Sequence, residues 1–170
     1  MIRINDPKKI IISSKKKDPL IIFLDLDGVI SFWEKSASKT CGVDIEDPEI
    51  RKDLKDGKRI EDMVEGGEEG MWNMIGEEGE KWWEDMELLP WAKDLYNLLN
   101  EEADEFSFLT SPSDDPICAS GKVRFIQKHF DTKDFLIGKN KHLCANKRAI
   151  LVDDSKKKTD KFEEYGGNGF

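Results

Sequence analysis

Asp25 and Asp27 flank a single leucine in the run Asp25-Leu26-Asp27-Gly28-Val29, directly after the apolar stretch Leu20-Ile21-Ile22-Phe23-Leu24. Two carboxylates one residue apart can hold one hard cation. Alternatively, one can ligate while the other moves a proton. A calcium loop is excluded by spacing: counted from Asp25, the sixth position, which needs glycine, is Ile30, and the twelfth, which needs glutamate, is Ser36. An Asp-Gly turn with no chemistry would also fit the pentapeptide taken alone. Two further segments argue against that reading. Phe106-Ser107-Phe108-Leu109 runs into Thr110-Ser111-Pro112, and Ala149-Ile150-Leu151-Val152 runs into Asp153-Asp154-Ser155. Three apolar runs that each end in groups able to bind phosphate or metal point to one site.

The elements that must position these groups follow from periodicity. Short continuous apolar runs read as buried strands, and in an open α/β sheet ligands gather at the strands' carboxyl ends. After residue 88 the chain alternates: helix 91–102, strand 105–109, helix 117–130, strand 134–137, strand 148–153 and a helix near 158–165. This predicts an α/β fold, a parallel sheet with helices on both faces. Residues 34–87 show no strand pattern and are rich in charge and glycine. Short helices are expected at 48–56, 58–65 and 79–86, so the segment reads as a small helical cap inserted after the first strand. The expected organisation is therefore a polar lead-in over 1–19 with one β-like run, Ile10-Ile11-Ile12, a core from 20–33 and 88–170, and a cap over 34–87. Glu65-Gly66-Gly67-Glu68-Glu69-Gly70 is no phosphate loop, because it follows no strand and its acids would repel the anion.

Composition narrows the function. A chain of 170 residues has room for one domain with a small insertion. No run of 18 apolar residues is present, so no membrane span is expected, and Met1-Ile2-Arg3-Ile4-Asn5 does not open a signal peptide. Cys41, Cys118 and Cys144 are odd in number and widely spaced, which fits reduced thiols in a cytoplasmic protein. Cys118 and His129 fall eleven residues apart on one expected helix, about three turns and too far for a catalytic dyad. A net charge of −9 argues against general nucleic-acid binding, whose affinity comes from clustered lysine and arginine. Lys139, Lys141, Lys147 and Arg148 nevertheless cluster before the last apolar run, which suits a small anionic ligand. The triplets Lys15-Lys16-Lys17 and Lys156-Lys157-Lys158 read as solvated surface.

These residues, taken together, resemble the haloacid-dehalogenase-like phosphatases over nearly all of 20–170. Asp25 and Asp27 stand at the family's first motif, Thr110 at its second, Lys141 at its lysine motif and Asp153-Asp154 at its last. Within that superfamily the chain is most similar to the 5′(3′)-deoxyribonucleotidases. That likeness rests on Asp25-Leu26-Asp27-Gly28-Val29 followed by Trp33, on Glu87-Leu88-Leu89-Pro90, on Thr110-Ser111-Pro112 and on His129-Phe130. Trp91 stands where that family would place glycine.

The resemblance implies a Rossmann-like core and a phosphomonoesterase working through a phosphoaspartyl intermediate. Asp25 would be the nucleophile and Asp27 the general acid and base. Mg²⁺ would be held by Asp25, the Asp27 backbone and Asp153, with Asp154 supporting that shell. Thr110, Ser111 and Lys141 would bind the phosphoryl oxygens, and Lys122 competes with Lys141 for the lysine role. Because residue 27 is Asp rather than Thr, turnover by hydrolysis fits better than a long-lived phosphoenzyme.

Trp33, Trp82 and Trp83, with Lys139, are the candidate substrate contacts. A nucleobase stacked on tryptophan gains about 1–3 kcal/mol, although large aromatics in a small cap serve equally well as its core. The leading expectation is a nucleoside monophosphate as the small anionic substrate, with no membrane partner and a homodimer as the assembly to look for. Two alternatives stand beside it: a phosphatase for a sugar phosphate or a nucleic-acid 3′-phosphate end, and a non-catalytic Mg²⁺-dependent binding module.

Overall fold

The computed structural model describes residues 19–170; the expected Ile10-Ile11-Ile12 strand lies outside them. Five parallel strands form one sheet in the order β3-β2-β1-β4-β5. They are β1 (Ile21–Leu24), β2 (Glu105–Thr110), β3 (Phe135–Ile137), β4 (Ala149–Val152) and β5 (Asn168–Gly169). β1 lies at the centre, with Leu24 level with Phe108 on one side and Val152 on the other. The Asp25 N–H continues the ladder by donating to the Val152 carbonyl at 2.9 Å. Asp25, Thr110 and Asp153 thereby emerge from three adjacent strands at the same edge.

Successive strand residues point to opposite faces, and the core divides accordingly. Leu24 and Phe108 pack with Ala92 and Tyr96 of α5 (Ala92–Glu102) and with Phe125, Ile126 and Phe130 of α6 (Pro116–Phe130). Phe23, Leu109 and Leu151 turn the other way, onto Phe162 of α7 (Lys156–Glu164). Helices therefore cover both faces, as the alternation predicted.

Between β1 and α5 the described chain is helical: α1 (Trp33–Thr40), α2 (Pro48–Lys55), a 3-10 turn at Ile60–Met63, α3 (Gly67–Glu78) and α4 (Glu80–Glu84). Its entry and exit run side by side, Phe32 N–H to the Glu87 carbonyl at 2.7 Å and Leu89 N–H to the Ile30 carbonyl at 2.8 Å. α4 lies directly on α6 at Gly121, where a Cβ would come within 2.5 Å of the Trp83 Cβ.

Three elements were not anticipated. α1 is a short polar segment, α3 carries glycines among few apolar residues, and β5 is a two-residue strand paired with Ile150 and Leu151. The helix expected over 58–65 is only the 3-10 turn. No helix among the described residues is long and apolar enough to cross a membrane.

Candidate active site

The turn after β1 sets the site's geometry. N–H groups of Val29, Ile30 and Ser31 converge on the Leu26 carbonyl at 3.2, 2.9 and 2.8 Å, folding the chain back sharply beside Asp25. Gly28 sits in this turn at φ +75°, a conformation that L side chains rarely adopt. Its missing side chain also matters, since a Cβ there would come within 2.2 Å of an Asp154 carboxylate oxygen.

Asp25 is 1% exposed. Its Oδ2 faces the Lys141 ammonium at 2.8 Å and that of Lys158 at 3.4 Å, while its buried Oδ1 has no hydrogen-bond partner. Lys141, 2% exposed on the 3-10 turn Lys141–Cys144, also meets Asp153 Oδ2 at 2.6 Å. Asp153 Oδ1 accepts from the Ser155 N–H at 2.9 Å. Carboxylate oxygens of Asp25, Asp153 and Asp154 all lie within 4.8 Å of one another.

Charge shifts follow from this crowding. Burial alone would push the Asp25 carboxyl up, but Lys141 and Lys158 outweigh it and hold the group below its ordinary value. Asp153 is pushed up by burial and by the neighbouring Asp25 charge, and Asp154 by burial, Asp25 and Asp153. A buried, unpartnered carboxylate oxygen beside two acids whose ionisation is disfavoured is a donor set suited to a hard divalent cation. The residues present fit Mg²⁺, and Asp154 offers an oxygen to the same group as Asp25 and Asp153.

Asp27 turns away from this cluster. Its carboxylate accepts from Lys122 Nζ at 2.5 Å and from Ser31 Oγ at 3.1 Å. Lys122 is 1% exposed, although it sits on an apolar face of α6 with Cys118, Phe125 and Ile126. Its ammonium also donates to Thr110 Oγ1 at 3.1 Å and to the Ser111 carbonyl at 2.7 Å, and it lies 5.4 Å from the Trp83 ring centroid. Burial would lower the Lys122 pKa, but Asp27 keeps it raised, so the lysine stays charged.

The structure thus brings Asp25, Asp27, Thr110, Ser111, Lys141, Asp153 and Asp154 to one edge of the sheet. The two lysines do not compete for one place. Lys141 joins Asp25 to Asp153, and Lys122 joins Asp27 to the Thr110-Ser111 turn. One reading is corrected, because Lys158 does not belong to a solvated triplet. It reaches Asp25 and lies 3.6 Å from Asp153, while Lys156 pairs with Asp160 on the surface. The signal was available, since a helix opening immediately after Asp153-Asp154-Ser155 returns its first turn over the carboxylates. Lys122 carried a similar signal as a lysine at a core position of an amphipathic helix.

The aromatic residues divide. Trp33 lines a cleft of about 540 Å³ that also contains Asp27, Arg59, Met71 and Trp72. Trp33 and Trp72 lie 6.0 Å apart, and Trp72 stacks on Trp83 at 6.4 Å. Trp83 is buried over Lys122 and α6, which makes it core in this arrangement. Trp82 is not brought to the edge that carries Asp25; its indole N–H donates to Thr40 Oγ1 at 2.8 Å, in a separate cleft with Lys35 and Glu87. Trp72 takes the place beside Trp33 that one of Trp82 or Trp83 was expected to fill. Lys139 is exposed and ion-paired with Asp114 at the mouth of the site.

No protein-family model matches the chain, and no curated protein is detectably similar in sequence. Solved structures are similar in fold. A candidate phosphatase from Clostridium difficile superposes with a TM-score of 0.55 at 16% identity, over 91% of this chain and 89% of that one. A hydrolase from Streptococcus pneumoniae TIGR4 gives 0.53 at 11% identity, over 89% and 91%. With the five-stranded parallel sheet and its flanking helices, these likenesses give the chain a Rossmann-type α/β fold.

Proposed function

We propose that this chain is a Mg²⁺-dependent phosphomonoesterase of the haloacid-dehalogenase-like superfamily, acting on nucleoside monophosphates as a 5′(3′)-nucleotidase. The observation that carries the reading is the state of Asp25. It is a carboxylate buried at the end of the central strand and held ionised by two lysines, with one oxygen left unpartnered. Such a group is poised to attack phosphorus.

In the proposed reaction Asp27 enters protonated in the substrate complex; an Asp25 oxygen bonds to phosphorus as the bond to the ester oxygen breaks, and Asp27 delivers that proton to the leaving oxygen. Water then attacks the phosphoaspartate, Asp27 takes the water's proton, and phosphate leaves with Asp25 regenerated. General acid–base help of this kind contributes about 10²- to 10⁴-fold. Lys122 orients Asp27 through its 2.5 Å contact and, with Thr110, presents positive charge and a hydroxyl to the phosphoryl group. Asp25, Asp153 and Asp154 would hold Mg²⁺, which supplies charge neutralisation between carboxylate and phosphate. The helical insertion over 34–87 acts as the cap, and its Trp72, beside Trp33 at the cap's entry, offers a face for the base.

The test is a phosphate-release screen over ribo- and deoxyribonucleoside monophosphates, sugar phosphates and p-nitrophenyl phosphate, with Mg²⁺ or with EDTA. Mg²⁺-dependent release, with kcat/KM highest on nucleotides, is the expected result. Preference for sugar phosphates would transfer the site to that substrate class. No release from any ester would leave the binding-module reading.

A further inference from the structure

A second cleft, about 600 Å³, shares Glu68 and Lys158 with the cleft that holds the Trp33–Trp72 pair. Its walls carry Lys139, Lys141, Lys157, Lys158 and Lys161 against one acid, Glu68. Such a concentration is notable in a chain with a net charge of −9. Lys141 and Lys158 belong to the catalytic cluster, and Lys139 pairs with Asp114. Lys157 and Lys161 have no carboxylate partner among the described residues, whereas Lys156 on the same helix pairs with Asp160.

Their placement on α7 is costly in two ways. Lys157 lies in the helix's first turn, where the macrodipole favours acids. Lys157 and Lys161 are also four residues apart on one face, a like-charge spacing that destabilises a helix. An anion between them would reverse both costs. Ser155, at the mouth of the same cleft, adds a hydroxyl donor.

We infer that Lys157 and Lys161 form a subsite for a second anionic group on the substrate, so that the preferred nucleotide carries another phosphate beyond the one removed. The inference rests on the phosphatase reading of Asp25 and deepens it. The base faces Trp33 and Trp72, the scissile phosphate meets Asp25, and the second phosphate reaches α7. A nucleoside 3′,5′-bisphosphate has this chemistry, as does a 5′-phosphorylated dinucleotide with its internal phosphodiester.

Calorimetric binding to the full chain tests this without relying on turnover. The ligands are a nucleoside 5′-monophosphate, the matching 3′,5′-bisphosphate and the 5′-phosphorylated dinucleotide, with an Asp25→Asn background preventing hydrolysis. One charge-assisted contact corresponds to about 10- to 100-fold in Kd. The bisphosphate or the dinucleotide should therefore bind at least about 10-fold tighter than the monophosphate. The gain should disappear in Lys157→Ala/Lys161→Ala while monophosphate affinity is kept. Which of the two ligands gains identifies the source of the second phosphate. Equal affinity for all three, or a gain that survives the double substitution, would overturn the subsite. Equal weakening of every ligand would also overturn it, since the lysines would then act only through the general field. A parallel p-nitrophenyl phosphate assay on Lys157→Ala/Lys161→Ala with Asp25 intact separates the two claims. Absence of Mg²⁺-dependent turnover there and in the unsubstituted chain would defeat the phosphatase reading, while the binding result would still decide the subsite.

Discussion

The floor of the site and its aromatic wall are built on different principles. On the floor, Asp25, Thr110 and Asp153 are fixed by strand register, each at the end of a strand hydrogen-bonded to its neighbour. Buried lysines lock the carboxylates in place. On the wall, Trp33 and Trp72 come from α1 and α3, outside the sheet, and meet through ring contacts. A floor residue has one chemically acceptable type, whereas a wall residue needs only a flat apolar surface. Damage to the floor should therefore stop all substrates alike, and damage to the wall should discriminate among them.

The largest effect is expected on the floor. Asp25→Asn should abolish turnover on every phosphate ester with the fold intact, because the amide keeps the shape but is a very poor nucleophile and metal ligand. Near-native activity of that variant would remove the distinction altogether. Lys122→Met should follow, with a large loss of kcat and a destabilisation of about 1–3 kcal/mol, read from denaturant unfolding. That figure lies below the full cost of breaking a buried ion pair because Asp27 stays partly exposed. A Lys122→Met variant with unchanged stability and rate would show that this buried lysine does not hold Asp27.

On the wall, Trp33→Ala should lower kcat/KM for nucleotides by about 10- to 100-fold, the equivalent of roughly 1–3 kcal/mol of stacking. The effect on p-nitrophenyl phosphate should be much smaller. Equal losses on both substrates would mean that Trp33 shapes the floor instead. The remaining expected effect is on stability alone. Saturating Mg²⁺, at about 100 times its Kd, should add about 2.7 kcal/mol to the folded state, seen as a raised Tm that EDTA reverses. A melting curve indifferent to both would argue against Asp25, Asp153 and Asp154 as a cation site.

The same contrast explains how far the sequence could be read. The strand-ending acids, Thr110 and Lys141 were legible because their chemistry restricts residue type and their flanking apolar runs restrict position. Lys158 was obscured by its setting in Lys156-Lys157-Lys158, where three identical residues have three different surroundings that only the rotation of α7 separates. Lys122 was legible in principle, since a charge on the apolar face of α6 needs a buried partner, but Asp27 lies 95 residues away in sequence. The tryptophans were visible as a set. Which of them reaches the site depends on the packing of α3 and α4, where Trp83 turns inward over Gly121 and leaves Trp72 beside Trp33. α1, α3 and β5 escaped notice because tertiary contacts, rather than local periodicity, stabilise them.

The central claim is that Asp25 becomes covalently phosphorylated during turnover. Acid-quenching the enzyme during hydrolysis of a ³²P-labelled nucleoside monophosphate tests it directly. The expected result is protein-bound label that is released by hydroxylamine, as an acyl phosphate requires, and that is missing from Asp25→Asn. Label retained on Asp25→Asn, or steady hydrolysis by the unsubstituted enzyme with no protein-bound label at any quench time, would contradict it.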